Sequence, residues 1–299
     1  MSILLSNEIM TSVIRELKNA TKSVQIITAY CKEGAIQKLD SYISKDISEK
    51  KIMLRFRLDD LVKGSTDFSA LEYCFNNGWK VFIRFDLHAK TYIVDSKRGF
   101  VGSANATNSG LNIGRTGNME MATLVDIEEE DLAKIENLYN DAIPVTPELL
   151  SKMKKEFESV ESEVTDKTVK WGEDISTLFS PHIQTLFSHD LPDENELLIG
   201  KYISFLDCYY DGDIEKLKES FRWSNAYLWL IDVLKENDGC LYFGAITAKL
   251  HDALISDPKP YRKDVKQMLA NLLTLIDTLQ MEEVVIDQPN YSQRIRLVK

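Results

Sequence analysis

The most informative part of the chain is the run His88-Ala89-Lys90-Thr91-Tyr92-Ile93-Val94-Asp95, followed by Gly102-Ser103-Ala104-Asn105. It has the form HxKx4Dx6GSxN and occurs once, since no other histidine is followed by a lysine two positions later. Side chains two positions apart on a strand point to the same side, roughly 7 Å from each other. The pattern therefore predicts a nucleophilic imidazole, on His88, beside the fixed positive charge of Lys90. Such a pair is suited to holding and attacking a phosphate group.

Helices and strands alternate on both sides of this stretch. Apolar residues at helical spacing predict helices at about 7–20, 33–45, 67–76 and 129–142. Short β-prone runs predict strands at about 23–30, 52–56, 80–85, 91–95, 100–102 and 119–126. Alternation of this kind is typical of an α/β layered domain. We predict such a domain over residues 1–145, ending where Pro144 and Pro147 interrupt the pattern.

The rest of the chain has a different pattern. Residues 146–194 are rich in charged side chains, which predicts a charged helical linker. Residues 195–299 are mainly helical in pattern and end in two short β runs, at 283–286 and 294–298. The helices are predicted at about 195–209, 213–221, 224–236, 244–254 and 261–280.

Three helices closed by a β-hairpin follow the order of a winged-helix domain, which would recognise a nucleic acid or a protein partner. Lys263 lies early in the last helix, and Arg294 and Arg296 lie on the last strand. These three cations are candidate contacts to nucleic-acid phosphates. The alternative is a helical dimerisation or partner-docking domain with a small hairpin, and the sequence leaves both open.

Charge is divided unevenly along the 299 residues, whose net charge is −11. Residues 1–120 carry 17 basic and 13 acidic side chains, whereas residues 121–299 carry 19 and 34. The acidity therefore lies outside the region that holds the motif. This balance argues against tight nonspecific binding to DNA, but it does not exclude DNA as a substrate, because a basic groove can lie on an acidic protein.

The compartment is predicted from what the sequence lacks. No apolar run reaches the roughly 18 residues that a membrane-spanning helix needs, and the first residues have neither the basic start nor the long apolar core of a signal peptide. The cysteines are scattered without the spacing of a zinc site. We expect a cytoplasmic protein without a membrane segment.

The complete spacing, with Asp95 five residues beyond the lysine and Gly102 seven beyond the aspartate, resembles the signature of the phospholipase D superfamily. The resemblance covers residues 1–145 and is closest to the nucleases and restriction-type endonucleases with one motif per chain. Asn118-Met119-Glu120 matches the NxE glutamate that such nucleases carry downstream. The superfamily implies a layered α/β fold for this half of the chain.

The resemblance also implies catalytic roles. His88 would attack phosphorus and form a phosphohistidine intermediate. Lys90 and Asn105 would bind the non-bridging oxygens, where charge develops in the transition state. Glu120 would orient the histidine and stabilise its charged form.

Four further residues complete the expected site. Gly102 would allow close approach of the backbone, and the Ser103 hydroxyl would hydrogen-bond the phosphate or the histidine network. Asp95 is expected to act in structure, by fixing the turn after the strand. Arg115 is a candidate contact to the nucleic-acid backbone.

One motif supplies one nucleophile, but the leaving oxygen also needs a general acid. Two copies facing each other across a two-fold axis would supply both. We therefore expect a homodimer with one shared active site that needs no metal ion or other cofactor. The leading hypothesis is a nuclease that cleaves DNA, in restriction or phage defence. The alternatives are a phospholipase or phosphatidyl transferase of the same superfamily, and a nucleic-acid-binding regulator or adaptor with a latent nuclease half.

Overall fold

The fold is described from a computed structural model over residues 3–114, 117–161, 169–179, 182–194, 197–289 and 291–298. The chain divides into two compact units, residues 1–180 and residues 181–299. Each unit has a hydrophobic core of its own. Among the described residues, no helix is both long enough and apolar enough to cross a membrane.

The first unit is built on a mixed sheet that has eight strands in the described part of the chain. Its strands, in the spatial order β1-β7-β6-β5-β2-β3-β4-β8, run parallel from β2 to β4 and antiparallel elsewhere. The strands are β1 (Ile3–Leu5), β2 (Ser23–Thr28), β3 (Glu49–Arg55), β4 (Trp79–Arg84), β5 (Lys90–Val94), β6 (Arg98–Gly102), β7 (Met121–Asp126) and β8 (Ile143–Pro144).

Strand β2 lies at the centre of this sheet, between β3 and β5. All six of its residues are buried, because helices cover both faces of the sheet at this point. A strand that is buried on both faces has a nearly continuous apolar sequence. This explains why Val24, Ile26 and Ile27 stand close together in β2.

Helices cover the two faces of the sheet unequally. One face packs on the large core that includes Ile9, Leu39 and Leu71. On the other face, α5 (Glu129–Asn140) covers only a part, where Tyr139 meets Phe82 at 5.0 Å between ring centroids. The predicted α/β layered fold is confirmed. The helices of this unit are α1 (Asn7–Lys18), α2 (Glu33–Asp40), α3 (Leu58–Val62), α4 (Phe68–Asn76), α5 (Glu129–Asn140), α6 (Pro147–Glu161) and α7 (Glu173–Ser176).

The structure divides the chain later than residue 145, and the segment predicted as a linker over 146–194 falls partly in the first unit. In α6, Met153 is fully buried and Phe157 stacks on Phe68 at 5.4 Å. Farther along, the indole of Trp171 donates a hydrogen bond to the carbonyl oxygen of Phe56, at 2.7 Å. The segment is rich in charged residues, but it also carries apolar residues at helical spacing, and these pack on the core. The prediction from charge alone did not take these apolar residues into account.

The second unit is mainly helical and contains the predicted β-hairpin, within a small antiparallel sheet. Four of the predicted helices are present within a few residues of their expected bounds. A strand that the sequence analysis missed, β11, joins the predicted hairpin in a sheet of order β11-β13-β12. The elements are α8 (Ile214–Arg222), α9 (Asn225–Lys235), β11 (Cys240–Tyr242), α10 (Phe243–Ala253), α11 (Arg262–Thr278), β12 (Val284–Asp287) and β13 (Arg294–Leu297).

The helix predicted over 195–209 is wrong. The described part of this stretch holds two short paired strands, β9 (Tyr202–Ile203) and β10 (Cys208–Tyr209). Gly200 and Asp207 both adopt positive φ, at 83° and 49°. A right-handed helix cannot continue through such residues, so the chain turns there instead.

Candidate active site

The sheet brings the separate parts of the motif to one edge. Strand β2 ends at Thr28, and Thr28 pairs with Lys90, the first residue of β5. Strand β6 ends at Gly102, which pairs with Ala122 near the start of β7. Because neighbouring strands here are antiparallel, the segments before β5 and before β7 lie at the same end of the strands as the segment after β6.

His88 lies in the loop immediately before β5 and is exposed to solvent. Lys90 is half-buried, and its ammonium group donates a hydrogen bond to the backbone carbonyl oxygen of His88, at 2.7 Å. The lysine therefore holds the loop that carries the histidine as well as supplying a positive charge. The ring of Tyr30 meets the His88 imidazole edge-on, with 6.4 Å between centroids.

Asn105 is held by the end of β2. Its side-chain oxygen Oδ1 accepts hydrogen bonds from the backbone N–H of Tyr30 at 3.0 Å and from the Thr28 hydroxyl at 3.3 Å. Among the described residues, its Nδ2 group has no partner and remains available as a donor. Because Thr28 also pairs with Lys90, the two groups expected to bind phosphate oxygens lie beside the same residue.

Positive charge dominates the surroundings of His88. The charge of Lys90, followed by burial and by Arg55 and Arg57, holds the pKa of His88 below its usual value, against a smaller opposing effect of Asp60. The imidazole is therefore neutral, and able to act as a nucleophile, at a lower pH than an ordinary histidine.

A histidine titration tests this electrostatic arrangement. We expect the pKa of His88 to rise when Lys90 is replaced by Met, since the largest cause of its lowering is removed. With four histidines in the chain, NMR can follow each imidazole against pH, and the His88→Ala spectrum assigns the signal. The matched control is Lys97→Met, in the exposed turn after β5. An unchanged His88 pKa in the Lys90 variant contradicts the arrangement.

Glu120 is buried just before β7 and is bound by two side chains other than His88. One carboxylate oxygen accepts a short hydrogen bond from the Ser103 hydroxyl, and the other accepts from Nδ2 of Asn118 at 3.2 Å. The expectation that Glu120 orients the histidine of its own chain has no support in these contacts. The Ser103 proton is likewise committed to Glu120 rather than to a phosphate.

The charge of Glu120 acts on Lys90 instead. Burial and the neighbouring Arg55 lower the pKa of Lys90, and Glu120 opposes them by favouring the charged ammonium. A carboxylate at this position keeps the lysine positively charged in a half-buried environment.

Asp95 ties the end of β5 to the start of β2. Its carboxylate accepts hydrogen bonds from the backbone N–H groups of Thr21, Lys22 and Ser23, at 2.6 to 3.0 Å, and from the Thr21 hydroxyl at 2.8 Å. Partial burial raises the pKa of Asp95, but these hydrogen bonds outweigh it and leave the pKa below its usual value. This geometry is that of a structural clamp, and it lies at the opposite end of β5 from Lys90.

Gly102 marks a close approach of β6 to β7. A side chain there would bring its Cβ to 2.5 Å from the Cβ of Ala122 and against the carbonyl oxygen of Met121. A glycine is therefore required at this position for the packing of the two strands, apart from the close approach of the backbone to substrate that was expected of it.

Three residues around the histidine, Tyr30, Arg55 and Asp60, were not predicted from the sequence. Arg55, at the end of β3, binds the Asp60 carboxylate through two hydrogen bonds of 2.8 Å and the Tyr30 hydroxyl at 2.6 Å. The signal was present, because Arg55 directly follows the buried apolar run of β3. A charged residue at the carboxyl end of a parallel strand commonly faces a ligand site.

The remaining candidates belong to the second unit or fall outside the described residues. Arg115 falls outside the part of the chain that the structure describes. Lys263 is exposed in the first turn of α11, in the second unit. Arg294 forms two hydrogen bonds with Asp287, at 2.9 and 2.8 Å, and Arg296 approaches the same carboxylate at 3.5 Å. Both arginines are thus already paired within the hairpin.

Residues 13–160 match the sequence model of a family described as "Cardiolipin synthase, PLD-like domain". The first unit carries a phospholipase D-like domain. The matched region includes the whole HxKx4Dx6GSxN motif and Glu120, so the resemblance drawn from the sequence is confirmed there. The domain is of the kind that acts on phosphodiesters. No curated protein sequence matches the chain.

Solved structures similar to this chain include two small proteins that it covers almost completely. One is NucT from Helicobacter pylori, at 18% identity over 48% of this chain and 98% of that chain, with a TM-score of 0.38. The other is Nuc from Salmonella typhimurium, a phospholipase D family member, at 17% over 48% and 97%, with a TM-score of 0.38. Phosphatidylserine synthase from Haemophilus influenzae is similar at 13% over 57% and 45%, with a TM-score of 0.41. At these values the likeness does not extend to activity or substrate.

Proposed function

We propose that this protein is a metal-independent nuclease that cleaves nucleic acid, with DNA as the substrate, through a phosphohistidine intermediate. The observation that carries the proposal is the meeting of His88, Lys90 and Asn105 around the end of β2. A nucleophile and two sets of hydrogen-bond donors at one point are what a phosphoryl transfer requires.

In the proposed first step, Nε2 or Nδ1 of His88 forms a bond to phosphorus while the P–O bond to one nucleotide breaks. The leaving oxygen takes a proton from the His88 imidazole of a second copy of the chain. Water then attacks the phosphohistidine, gives its proton to that second imidazole and releases His88. The Lys90 ammonium and the Asn105 amide stabilise the charge on the non-bridging oxygens in both steps.

An exposed apolar surface supports the proposed dimer. Where α5 leaves the sheet uncovered, one face of β1, β6 and β7 carries apolar side chains that are 43 to 68% exposed, and Met119, just before β7, is 82% exposed. Contiguous apolar surface of this kind commonly marks a protein interface. It adjoins the motif, since the backbone N–H of Met121 donates to the Ser103 hydroxyl at 3.1 Å. We call this surface the apolar face, and its residues are Ile3, Leu5, Val101, Met119 and Met121.

Charge placed on the apolar face is expected to separate the dimer. Met121→Lys should shift the protein from dimer to monomer in analytical ultracentrifugation and reduce cleavage at least about 100-fold, because one imidazole is lost from each site. The matched control is Leu178→Lys, which alters an exposed apolar residue of the same unit and should leave both properties unchanged. A fully active Met121→Lys monomer contradicts the shared site.

For the second unit we propose recognition of the target nucleic acid or of a protein partner. Its order of a helix, a strand, two helices and a hairpin supports a winged helix. The pairing of Arg294 and Arg296 with Asp287 favours a protein partner on the hairpin, because neither arginine can neutralise a phosphate without giving up that carboxylate. A role in restriction or phage defence is proposed on the resemblance to restriction-type endonucleases with one motif per chain.

One experiment separates the proposed function from its alternatives. Purified protein in EDTA is incubated with labelled single- and double-stranded DNA, RNA and phosphatidylcholine, beside the His88→Ala variant. We expect the wild-type protein to cleave DNA and the His88→Ala variant to leave it intact. Cleavage of the lipid only would indicate a phospholipase, and no product from any substrate would favour the adaptor. Cleavage that EDTA abolishes and magnesium restores would overturn the metal-independent mechanism.

A further inference from the structure

A polar cleft of about 490 Å³ opens beside the motif in the first unit. The segment between α3 and α4 forms one wall, the loop after Asn105 forms the other, and the start of α2 lies between them. Apart from the phenol ring of Tyr30, the described residues that line it are polar or glycine. Its volume lies within the range of about 300–1,000 Å³ that is usual for small-molecule sites.

The cleft is continuous with the candidate active site. Asn105 lines the cleft together with Tyr30 and Asn118. Tyr30 contacts the His88 ring, and Asn118 binds Glu120. A group in the cleft is therefore adjacent to a phosphate held by Asn105.

The two charged side chains that line the cleft, Lys32 and Asp67, form an ion pair with each other. The ammonium group of Lys32 lies 2.6 Å from one oxygen of Asp67, and the other oxygen of Asp67 accepts from the backbone N–H of Glu33 at 3.1 Å. A second phosphate would gain little from such a neutral pair. An acyl chain would leave the amides and hydroxyls of the lining without partners, at a cost of about 1–3 kcal/mol for each buried group.

We propose that this cleft binds the nucleoside attached to the scissile phosphate, through hydrogen bonds to its sugar and base. The proposal rests on the proposed nuclease function and names the part of the substrate that selects a nucleic acid over a phospholipid. A neutral ligand rich in donors and acceptors matches a neutral polar lining.

Two substrates with the same leaving group isolate the contribution of the cleft. Thymidine 5′-(4-nitrophenyl phosphate) and methyl 4-nitrophenyl phosphate differ only in the group that stays on phosphorus. We expect the wild-type protein to favour the thymidine ester about 100-fold in kcat/KM, as two or three hydrogen bonds would provide.

Gly34→Leu is the variant that fills the cleft. Gly34 lies in the first turn of α2 at negative φ, and a Cβ there would make only an ordinary contact of 3.5 Å with Asn108. A leucine is therefore compatible with the helix, and its longer side chain would extend into the space between the walls. The preference for the thymidine ester should fall below about tenfold. Asn108→Leu, in the wall formed by the loop after Asn105, should have the same effect, and Gln37→Leu, exposed on α2 outside the cleft, should have none.

Binding without turnover distinguishes failure of the cleft from failure of the nuclease proposal. The His88→Ala protein is titrated calorimetrically with the dinucleotide thymidylyl-thymidine, with and without Gly34→Leu, and we expect about tenfold weaker binding with the leucine. Equal binding, or an unchanged preference between the two esters, would overturn the cleft proposal even if DNA is cleaved. If neither ester is cleaved, the nuclease proposal fails, and the titration still decides the cleft. Hydrolysis of dihexanoyl phosphatidylcholine that Gly34→Leu impairs would assign the cleft to a lipid headgroup and overturn the proposal.

Discussion

Replacing His88 by Ala is expected to lower the rate of DNA cleavage by a factor of at least about 10⁴, the scale seen when a covalent nucleophile is removed. The active site of the variant would keep the Lys90 and Asn105 donors but would lack the nucleophile that displaces the leaving oxygen. Because His88 is exposed and its carbonyl oxygen, not its ring, binds Lys90, the fold should lose no more than about 0.5 kcal/mol of stability. Cleavage of labelled DNA and thermal unfolding measure the two effects.

The control for this variant is His189→Ala, which removes an exposed histidine of the second unit and should cleave at the wild-type rate. Cleavage by His88→Ala at more than a tenth of the wild-type rate would show that another group is the nucleophile. A large loss of stability would instead assign His88 a structural role.

Replacing Asp95 by Ala is expected to lower the free energy of unfolding by about 2 kcal/mol, since a carboxylate that accepts several hydrogen bonds is lost. The N–H groups of Thr21, Lys22 and Ser23 would lose their partner, and β5 would lose its tie to the start of β2. Urea unfolding of both proteins measures the difference. Activity should fall only as far as the folded fraction falls.

The effect of Asp95 should also depend on pH. Because its pKa is lowered in the folded protein, its contribution to stability is complete above the ordinary aspartate pKa of about 3.9 and is lost as the pH falls through the lower folded value. The difference between Asp95→Ala and wild type should therefore shrink in acid. Asp141→Ala, at the exposed end of α5, is the control and should cost little at any pH. A constant difference across this pH range contradicts the clamp.

The sequence predicted the first unit well because two of its signals are local. The alternation of helices and strands follows from hydrophobic periodicity, and the motif spacing carries the family. The positions of Lys90 and Asn105 beside Thr28 also follow from strand order, once β5 is known to pair with β2. These features depend on short stretches of chain and therefore remain visible without coordinates.

Other features depend on contacts between distant residues. The charges of α6 predicted an exposed linker, although Met153 and Phe157 pack on the core. Glu120 was assigned to His88 by family resemblance, yet its contacts are Ser103 and Asn118. From the sequence, Arg294 and Arg296 were predicted to be available for phosphate contacts, whereas in the structure both lie beside the Asp287 carboxylate. Sequence reveals the residue types, but the partner of a charge is decided by tertiary structure.

In the proposed mechanism His88 forms a covalent bond to phosphorus, and this adduct can be trapped. A ³²P-labelled DNA substrate is mixed with the protein in EDTA, quenched with alkali within milliseconds, digested with a protease and analysed by mass spectrometry. We expect an alkali-stable, acid-labile nucleotidyl group on the peptide that contains His88, and none in the His88→Ala protein. Cleavage that proceeds with the label never on the protein, or with the label on another residue, would contradict it.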